Sequence, residues 1–452
     1  MNVVYNDLQH CEVDMAGDEF EKHLKVYENR SEYIVTIQDK EVFWEGPVSP
    51  ETKKRTKLIK EKFEQGFLET IVIGVKDNID EIQIDLIDQT TKECLDKLVE
   101  SVTSEVGRAL IGLTIMQLTI KAIDTRQNIR LHKGGSSNNA FSWTDGISMR
   151  VLDKNFVTPI LRKYDLVKLN ADGFMMTRSL AENYPYSWLY KAQLRGARYE
   201  WLAVVESLEA NTSDPLTSLK YLLSLLFNKA EQFQTASENL LVSCKKYLEK
   251  VKKPYQIVAL IRSHIDDSGY AARLMEVSMH ALMQAVIETG ALGLTALKPL
   301  SQMRSANKKH GNIGDIELLD DLDIIESWDA KYGKAYLRDE IDEATEKLKN
   351  HNSVTVVGFV TTLAPIINSE IKNKIESIKA LHGIEIKILT FEEWVEDIFK
   401  RVLSEQHSTN VELSKRWMLA YAESIAQKRR NIAPIDEPCI EWVKELAAKL
   451  HG

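Results

Sequence analysis

The second half of this chain alternates between helix-like and strand-like segments, and this alternation limits the fold more than any other feature of the sequence. Residues 270–289 place apolar side chains three and four positions apart and are followed by Gly290, which predicts a helix. Two strands, a helix, a strand, a helix, a strand and a further helix are predicted after it. This order is typical of an α/β domain in which helices flank a central mixed sheet.

The predicted segments after Gly290 are short and well separated. They are IGDIELL (313–319), DIIESWDAK (323–331), YLRDEIDEATEKLKNH (336–351), SVTVVGFV (353–360), INSEIKNKIESIKALHG (367–383), IEIKILT (384–390) and FEEWVEDIFKRVL (391–403). Thr390 is the expected N-cap of the last of these helices.

The remainder of the chain is expected to be largely helical. The pattern divides the sequence into a mixed region (1–90), a mostly helical region (91–269), the α/β core (270–403) and terminal helices (404–452). In the first region, alternation predicts a strand or hairpin at 31–46 and a strand at 79–88. Helices are predicted at 91–124, 216–228 and 237–250.

Composition favours a cytoplasmic protein outside any membrane. The four cysteines are widely spaced and form no CxxC pair, which argues against a disulfide framework or a zinc site. The apolar run at 109–120 is shorter than a membrane span requires, so a buried helix is expected there. The first twenty residues show no basic start and no apolar signal core.

Charge is distributed unevenly along the chain. The net charge of -9 argues against nonspecific coating of nucleic acid, although a local basic cleft remains compatible with it. Residues 298–310 contain four Lys or Arg and no acid, and residues 311–329 contain seven acids and no base. Such neighbours suit a site that attracts phosphate beside carboxylates that hold a cation, whereas chance clustering on a surface is the simpler alternative.

The acids between 315 and 329 can be sorted by strand parity, because residues two apart share a face of a strand. Asp315 then shares a face with Glu317, and Asp329 shares one with Lys331. If the two strands are neighbours, Asp315 and Asp329 converge with Lys331 one pleat away. Glu326 has the parity of Trp328 and is expected to face away. The acids of the intervening turn, Asp320, Asp321 and Asp323, are expected to be solvated.

Two converging carboxylates repel each other unless they share a cation. A small number of oxygen ligands suits Mg²⁺, which keeps several waters and accepts phosphate oxygens. A lysine beside that ion can orient a water or offset charge on a phosphate. The pattern therefore favours hydrolysis of a phosphodiester. The structural alternative is a polar sheet edge with a cross-strand Asp–Lys pair.

The arrangement of "GDIELL" and "WDAK", after a helix and before helix–strand–helix–strand, resembles the PD-(D/E)-x-K nucleases, and in particular type II restriction endonucleases. The similarity covers about 270–403, and a looser similarity to SacI-type enzymes extends into the region from Ala140 to Ser187. Gly314 departs from the motif by standing where its name has proline.

This resemblance implies a PD-(D/E)-x-K nuclease core with a largely helical N-terminal region. It implies that Asp315, Asp329 and Lys331 are catalytic, with Mg²⁺ held by Asp315 and Asp329, and with Glu317 and Glu276 as further metal ligands. A glutamate on the helix before the core often assists the metal in this superfamily, which also makes Glu288 a candidate.

The implied substrate is double-stranded DNA cut at a specific site, and the implied assembly is a homodimer if the site is palindromic. Arg and Asn side chains suit phosphates and base edges. The residues expected to contact DNA are Arg304, Lys308, Lys309, Arg178, Arg195, Arg198 and Asn183.

Two other functions fit the same pattern. One is a nuclease of the same fold in DNA repair or transposition, and the other is a non-catalytic DNA-binding or scaffold protein. The chain has no GxSxG, P-loop or GxGxxG motif, which argues against serine hydrolases, NTPase motors and dinucleotide enzymes.

Overall fold

A computed structural model of the chain shows two compact units, one ending at Glu231 and the other beginning at Gln232. It describes residues 22–36, 39–78, 82–135, 140–167, 173, 178–190, 194, 196–290, 296–300, 312–349, 351–405, 410–426 and 439–451. The unit boundary falls within a helix that runs from Pro215 to Lys250. The finer division at 90, 269 and 403 stays a prediction.

The first unit combines a small antiparallel sheet with helices. Its strands are β1 (His23–Val26), β2 (Arg30–Ile34) and β3 (Lys40–Trp44), paired in that order. Its helices are α1 (Pro50–Glu64), α2 (Phe67–Asp77), α3 (Gln89–Glu100), α4 (Glu105–Ile123), α5 (Met149–Leu152), α6 (Thr158–Lys163), α7 (Arg198–Ala210) and α8 (Pro215–Lys250), of which the last continues into the second unit's residues.

The hairpin predicted at 31–46 is confirmed by β2 and β3, whereas the strand predicted at 79–88 is wrong in its described part. Ile84–Leu86 form a 3-10 turn with no strand partner among the described residues. Alternation alone describes a half-buried extended segment, and a strand also requires a neighbour with which to form hydrogen bonds. Here Asp88 ends the segment by capping α3, since its carboxylate accepts the N–H of Thr91 at 2.8 Å.

In this unit, one predicted helix is two separate helices, and two predicted helices are a single one. The stretch 91–124 forms α3 and α4, with a 3-10 turn at Ser101–Thr103 between them. Ser104 caps α4 by accepting the N–H of Gly107 at 2.9 Å. In contrast, the two helices predicted at 216–228 and 237–250 are one continuous helix, α8.

Helix α4 is the core helix of the first unit. By length and composition, Val106–Ile123 could cross a membrane, so the expectation that this run is too short was wrong. The prediction of a buried helix is confirmed, because 83% of this window is buried inside the protein. A buried core helix of a globular unit passes the same length and composition test, and α4 is packed in this way against α3 and α7.

The second unit is built on a five-stranded mixed sheet in the order β4–β5–β6–β7–β8. The strands are β4 (Ala296–Leu297), β5 (Ile316–Asp320), β6 (Asp323–Lys331), β7 (Val356–Thr361) and β8 (Glu385–Thr390). The pairs β4–β5 and β5–β6 are antiparallel, and the pairs β6–β7 and β7–β8 are parallel.

Helices cover both faces of this sheet. They are α9 (Pro254–Asp267), α10 (Ala271–Glu288), α11 (Arg338–Leu348), α12 (Ser369–His382), α13 (Phe391–Glu405), α14 (Asn410–Ile425) and α15 (Cys439–His451). One face packs on a core shared with α10, α13 and α14, in which Trp328 meets Trp394 edge to face at 5.8 Å. The opposite face packs against α11 and α12 through Phe359 and Val357.

The order of helices and strands predicted from Tyr270 onward is confirmed, except that the short strand β4, between α10 and β5, was not predicted. Tyr270 stands at the N-cap position of α10 without a side-chain capping hydrogen bond, and Gly383 ends α12 in the left-handed conformation. Thr390 and Glu393 exchange hydrogen bonds at the start of α13, with the Glu393 N–H donating to the Thr390 hydroxyl at 3.2 Å and the Thr390 N–H donating to the Glu393 carboxylate at 2.8 Å. The chain is thus a helix-rich mixed α/β protein with a five-stranded mixed sheet.

Candidate active site

The pairing of β5 with β6 brings Asp315 and Asp329 together. Ile316 lies opposite Trp328, so the residue before Ile316 faces the residue after Trp328. The Asp315 N–H donates to the Trp328 carbonyl at 3.0 Å, and the Ala330 N–H donates to Oδ2 of Asp315 at 3.1 Å. A side-chain hydrogen bond between Asp315 and Asp329 confirms the convergence of the two carboxylates expected from parity.

Lys331 completes the cluster as the last residue of β6. Its Nζ lies 2.7 Å from Oδ2 of Asp329, whose side chain is 14% exposed. The strand ends there, and Gly333 turns the chain with a φ of +71°. Beyond the turn, Lys334 forms an ion pair with Glu340 of α11. The end of β6 therefore separates Lys331, which lies beside Asp329, from Lys334, which pairs with Glu340.

Two glycines allow this close approach of strands and rings. A Cβ at Gly314 would stand 2.8 Å from the Trp328 carbonyl oxygen and 2.7 Å from Oγ of Ser327. Proline carries a Cβ, so the departure from the motif at this position has a steric reason. A Cβ at Gly358 would lie 2.0 Å from the ring of Trp328, so glycine at 358 leaves space for the indole under β7.

Burial and mutual repulsion make the ionised form of the two aspartates costly. Burial raises the pKa of Asp315, and the nearby Glu276 carboxylate raises it further. Burial likewise raises the pKa of Asp329 well above its ordinary value, and Asp315 adds to this rise. Burial opposes the charge on Lys331, but the carboxylates of Asp329, Asp315 and Glu340 outweigh it and raise the pKa of the ammonium. A cation bound between the two aspartates would favour their ionised form.

Of the two helix glutamates, Glu276 is the one that lies near the cluster. It interacts electrostatically with Asp315 and forms an ion pair with Arg273 one turn earlier on α10. Glu288 is exposed at the other end of the helix and accepts a hydrogen bond from Gln284 at 2.9 Å. Glu276 is therefore placed to act as a further carboxylate beside Asp315.

Glu317 shares the parity of Asp315 but has other partners. Its Oε2 lies 2.6 Å from Nζ of Lys298, and its Oε1 accepts the N–H of Ile313 at 2.5 Å. Lys298 also donates to Oδ1 of Asn312 at 2.7 Å. Both oxygens of this buried carboxylate are thus engaged where the chain leaves β4 and enters β5.

The other acids of the segment lie where parity places them. Glu326 faces away from the aspartates and accepts two hydrogen bonds from Arg401, at 2.8 Å each, and one from the Trp328 indole at 2.6 Å. The turn residues Asp320, Asp321 and Asp323 are exposed. With Glu317, five of the seven acids therefore have other partners or face solvent, and only Asp315 and Asp329 form the aspartate pair.

Few of the predicted DNA contacts can be placed. Arg304, Lys308, Lys309 and Arg195 lie outside the described residues. Arg178 begins the 3-10 turn Arg178–Ala181 in the first unit. In the same unit, Asn183 accepts a hydrogen bond from Lys133, and Arg198 donates one to the Tyr190 carbonyl while its guanidinium lies over the Tyr199 ring.

Glu340 and Lys298 are the charged neighbours that sequence reasoning missed. Glu340 interacts with both Lys331 and Lys334 from the first turn of α11. The sequence signal that could have identified Glu340 is an acid in the first turn of the helix that follows the strand with Asp329 and Lys331. Lys298 belongs to the basic run at 298–310, but only the pairing of β4 with β5 shows that it meets Glu317.

The aspartate pair fits Mg²⁺ better than a cation that demands many protein ligands. Among the described residues, no group of three or more His, Cys, Asp or Glu side chains has the arrangement of a metal cage. Mg²⁺ typically takes one or two carboxylates and completes its shell with waters and substrate oxygens. A largely buried pair of aspartates meets that requirement.

Comparison of the chain with protein-family models and with curated proteins gave no match.

Proposed function

We propose that this protein is a Mg²⁺-dependent endonuclease of the PD-(D/E)-x-K type that cuts double-stranded DNA at a specific short site, as type II restriction enzymes do. The observation that carries the proposal is the cluster at the end of β6. Asp315 and Asp329 face each other across one strand pair, and Nζ of Lys331 lies 2.7 Å from Asp329. Two carboxylates and a lysine in this order suit hydrolysis of a phosphodiester.

In this proposal Asp315 and Asp329 hold Mg²⁺, and Glu276 supports the site from α10. Bound Mg²⁺ supplies Lewis-acid polarisation of the scissile phosphate. Lys331 orients the attacking water and offsets the negative charge that develops on the phosphate. Burial of the aspartates favours this role, because electrostatic interactions are stronger where water is excluded.

The position of the cluster in the sheet also supports a site for a substrate. Lys331 and Thr361 are paired at the carboxyl ends of the parallel strands β6 and β7. Ligands in open α/β sheets commonly bind outside these ends. The basic residues at 298–310 and the Arg and Asn side chains of the first half provide groups suited to DNA. A homodimer and a cytoplasmic location belong to the proposal.

Digestion of plasmid DNA with and without Mg²⁺ tests the proposal. Discrete fragments that require Mg²⁺ are expected for a sequence-specific enzyme. A smear of fragments would instead indicate a nuclease that cuts nonspecifically or according to DNA structure, as a repair nuclease does. Intact plasmid, together with DNA binding, would leave a non-catalytic DNA-binding protein and contradict the nuclease assignment. The Asp329→Ala variant is the matched control for contaminating nuclease.

A further inference from the structure

The small sheet of the first unit has one face on which, among the residues that the structure describes, exposed cations and aromatic rings lie together. The register places Arg30 opposite Trp44 and Glu32 opposite Val42, so these four side chains share a face. Trp44 is 48% exposed and Val42 is 38% exposed. Tyr33 and Phe43, which alternate to the other face, are buried. We call this side the Arg30 face, and define it by Tyr27, Arg30, Lys25, Lys40, Val42, Trp44 and the buried Glu32.

Arg30 is held in place on this face from three directions. Its guanidinium carbon lies 4.1 Å from the centroid of the Tyr27 ring and 5.4 Å from that of the Trp44 ring. Its Nε donates to Oε1 of Glu32 at 2.9 Å. Within the part of the chain that the structure describes, Nη1 and Nη2 of Arg30 donate no hydrogen bond. A fixed guanidinium with two available donors is suited to planar anionic partners.

The charge of the face is positive although the whole chain is acidic. Three cations, Lys25, Arg30 and Lys40, share the face with Glu32. Lys40 lies 2.7 Å from Oε2 of Glu32, and hydrogen bonds from Lys40 and then Arg30 lower the pKa of this carboxyl, which keeps it ionised and neutralised. Glu41 alternates to the buried side, where it lies 3.4 Å from Arg130.

We propose that the Arg30 face binds the sugar–phosphate backbone of double-stranded DNA. Arg30 donates Nη1 and Nη2 to phosphate oxygens, and Lys25 and Lys40 add phosphate contacts. Tyr27 and Trp44 are positioning residues, because they fix the plane of the guanidinium. The choice of DNA rests on the proposed function, and charge complementarity between this face and a phosphate backbone supports it.

Duplex binding measured over a range of salt concentrations tests this proposal. The Asp329→Ala background keeps the duplex intact during the measurement. Arg30→Ala should weaken affinity roughly tenfold and reduce the slope of log affinity against log salt by about one. Arg30→Lys keeps the charge but loses the fork, so an intermediate affinity is expected. Arg126→Ala is the matched control, since Arg126 is 75% exposed in the same unit and pairs with Asp124.

Trp44→Ala tests the positioning role. It should weaken binding less than Arg30→Ala does, and the double variant should bind no more weakly than Arg30→Ala alone, because Trp44 acts through the guanidinium. Additive losses would contradict this role. Thermal unfolding identifies variants that do not fold. If Arg30→Ala or Trp44→Ala does not fold, the duplex affinities of the milder variants Lys40→Ala and Arg30→Lys test the surface instead.

The outcomes separate this surface from the nuclease assignment. Wild-type affinity and salt slope in both Arg30→Lys and Arg30→Ala would overturn the proposal even if the protein cuts plasmid. Arg30-dependent duplex binding by a protein that cuts no plasmid would support the surface and contradict the nuclease. If Arg30→Ala lost binding to poly-glutamate but not to the duplex, the face would fit an acidic protein, and the proposal would be wrong.

Discussion

Nζ of Lys331 lies 2.7 Å from Oδ2 of Asp329, two positions earlier on the same strand, and Asp329 faces Asp315, the residue immediately before the neighbouring strand β5. One strand register therefore assembles the three groups. A slip of one residue would turn Asp329 and Lys331 toward the face that Trp328 now occupies. The predictions below depend on this register.

Asp315→Ala and Asp329→Ala should each abolish cleavage, with a loss of at least about three orders of magnitude in rate, while DNA binding is kept. Each change removes a proposed Mg²⁺ ligand and leaves the rest of the DNA-contact surface in place. Single-turnover cleavage and duplex binding measure the two effects separately. Cleavage at a near wild-type rate by either variant would contradict the site assignment.

Asp320→Ala and Asp323→Ala are matched controls for these variants. Both residues belong to the same acid-rich segment, and both are exposed, Asp320 at the end of β5 and Asp323 at the start of β6. Their cleavage rates should stay close to wild type. Loss of cleavage in either control would show that the total acidity of the segment, rather than the pair, matters.

Lys331→Ala should reduce single-turnover cleavage by orders of magnitude, because this ammonium lies within hydrogen-bond reach of the aspartate pair. Lys334→Ala should cost less than about tenfold, since Lys334 is paired with Glu340 beyond the end of the strand. A dead Lys334→Ala enzyme beside an active Lys331→Ala enzyme would require a different register for the whole site.

Asp329→Asn should stabilise the Mg²⁺-free protein increasingly as pH rises. The pKa of Asp329 is raised well above its ordinary value of 3.8, so the folded state holds this proton more tightly than the unfolded state does. The stability contributed by the protonated group is fully present below the unfolded pKa and is lost as pH rises through the folded pKa. Asparagine does not titrate, so the free energy of unfolding of Asp329→Asn should exceed that of the wild type by on the order of 1 kcal/mol at pH 8.

Denaturant unfolding of both proteins at pH 5 and pH 8, in chelator and in Mg²⁺, measures this difference. Mg²⁺ should stabilise the wild type and should have little effect on Asp329→Asn, because only the folded wild type offers the complete carboxylate pair. Asp323→Asn is the control for a change of charge on the same strand. Equal stability of the wild type and Asp329→Asn at both pH values would contradict the electrostatic account.

Arg401→Ala should lower the free energy of unfolding by about 3 kcal/mol, because it leaves the buried carboxylate of Glu326 without its bidentate partner. Lys400→Ala, which removes the exposed pair with Glu396, should change stability by less than about 0.5 kcal/mol. Denaturant unfolding of the two variants measures the contrast. A similar small effect in both would show that the Glu326–Arg401 pair adds little.

The Glu326–Arg401 pair also tests the division of the sheet into two faces. Glu326 lies on the face of Trp328, away from Asp315 and Asp329. Under conditions in which the Arg401→Ala variant is fully folded, its rate of DNA cleavage should therefore depend on Mg²⁺ concentration as the wild-type rate does. A shifted Mg²⁺ dependence would connect this pair to the metal site.

The α/β core could be predicted closely because its local signals agree. Apart from the two-residue strand β4, the strands and helices from Tyr270 to Glu405 match the predicted periods, and several have a recognisable end, such as Gly383 after α12 or Thr390 before α13. Strand parity also sufficed to bring Asp315, Asp329 and Lys331 to one face. Adjacent strands with a short turn leave little choice of partner.

Elements that depend on distant partners could not be predicted from local patterns. The alternation at 79–88 signals a strand, yet Ile84–Leu86 form a 3-10 turn, since a strand also needs a neighbouring strand. Glu317 had the parity of a metal ligand, but the pairing of β4 with β5 brings Lys298 to it. Neither partner can be read from the spacing around the residue itself.

The sequence by itself determined the helix and strand periods of the α/β core and which residues of β5 and β6 share a face. Only the tertiary structure decided the neighbours across the chain: Arg401 for Glu326, Glu276 for Asp315, and Trp44 for Arg30. The reason is physical. Which residues share a face of a helix or strand follows from the local backbone geometry. The partner, burial and charge state of a side chain depend on which distant segments pack against it.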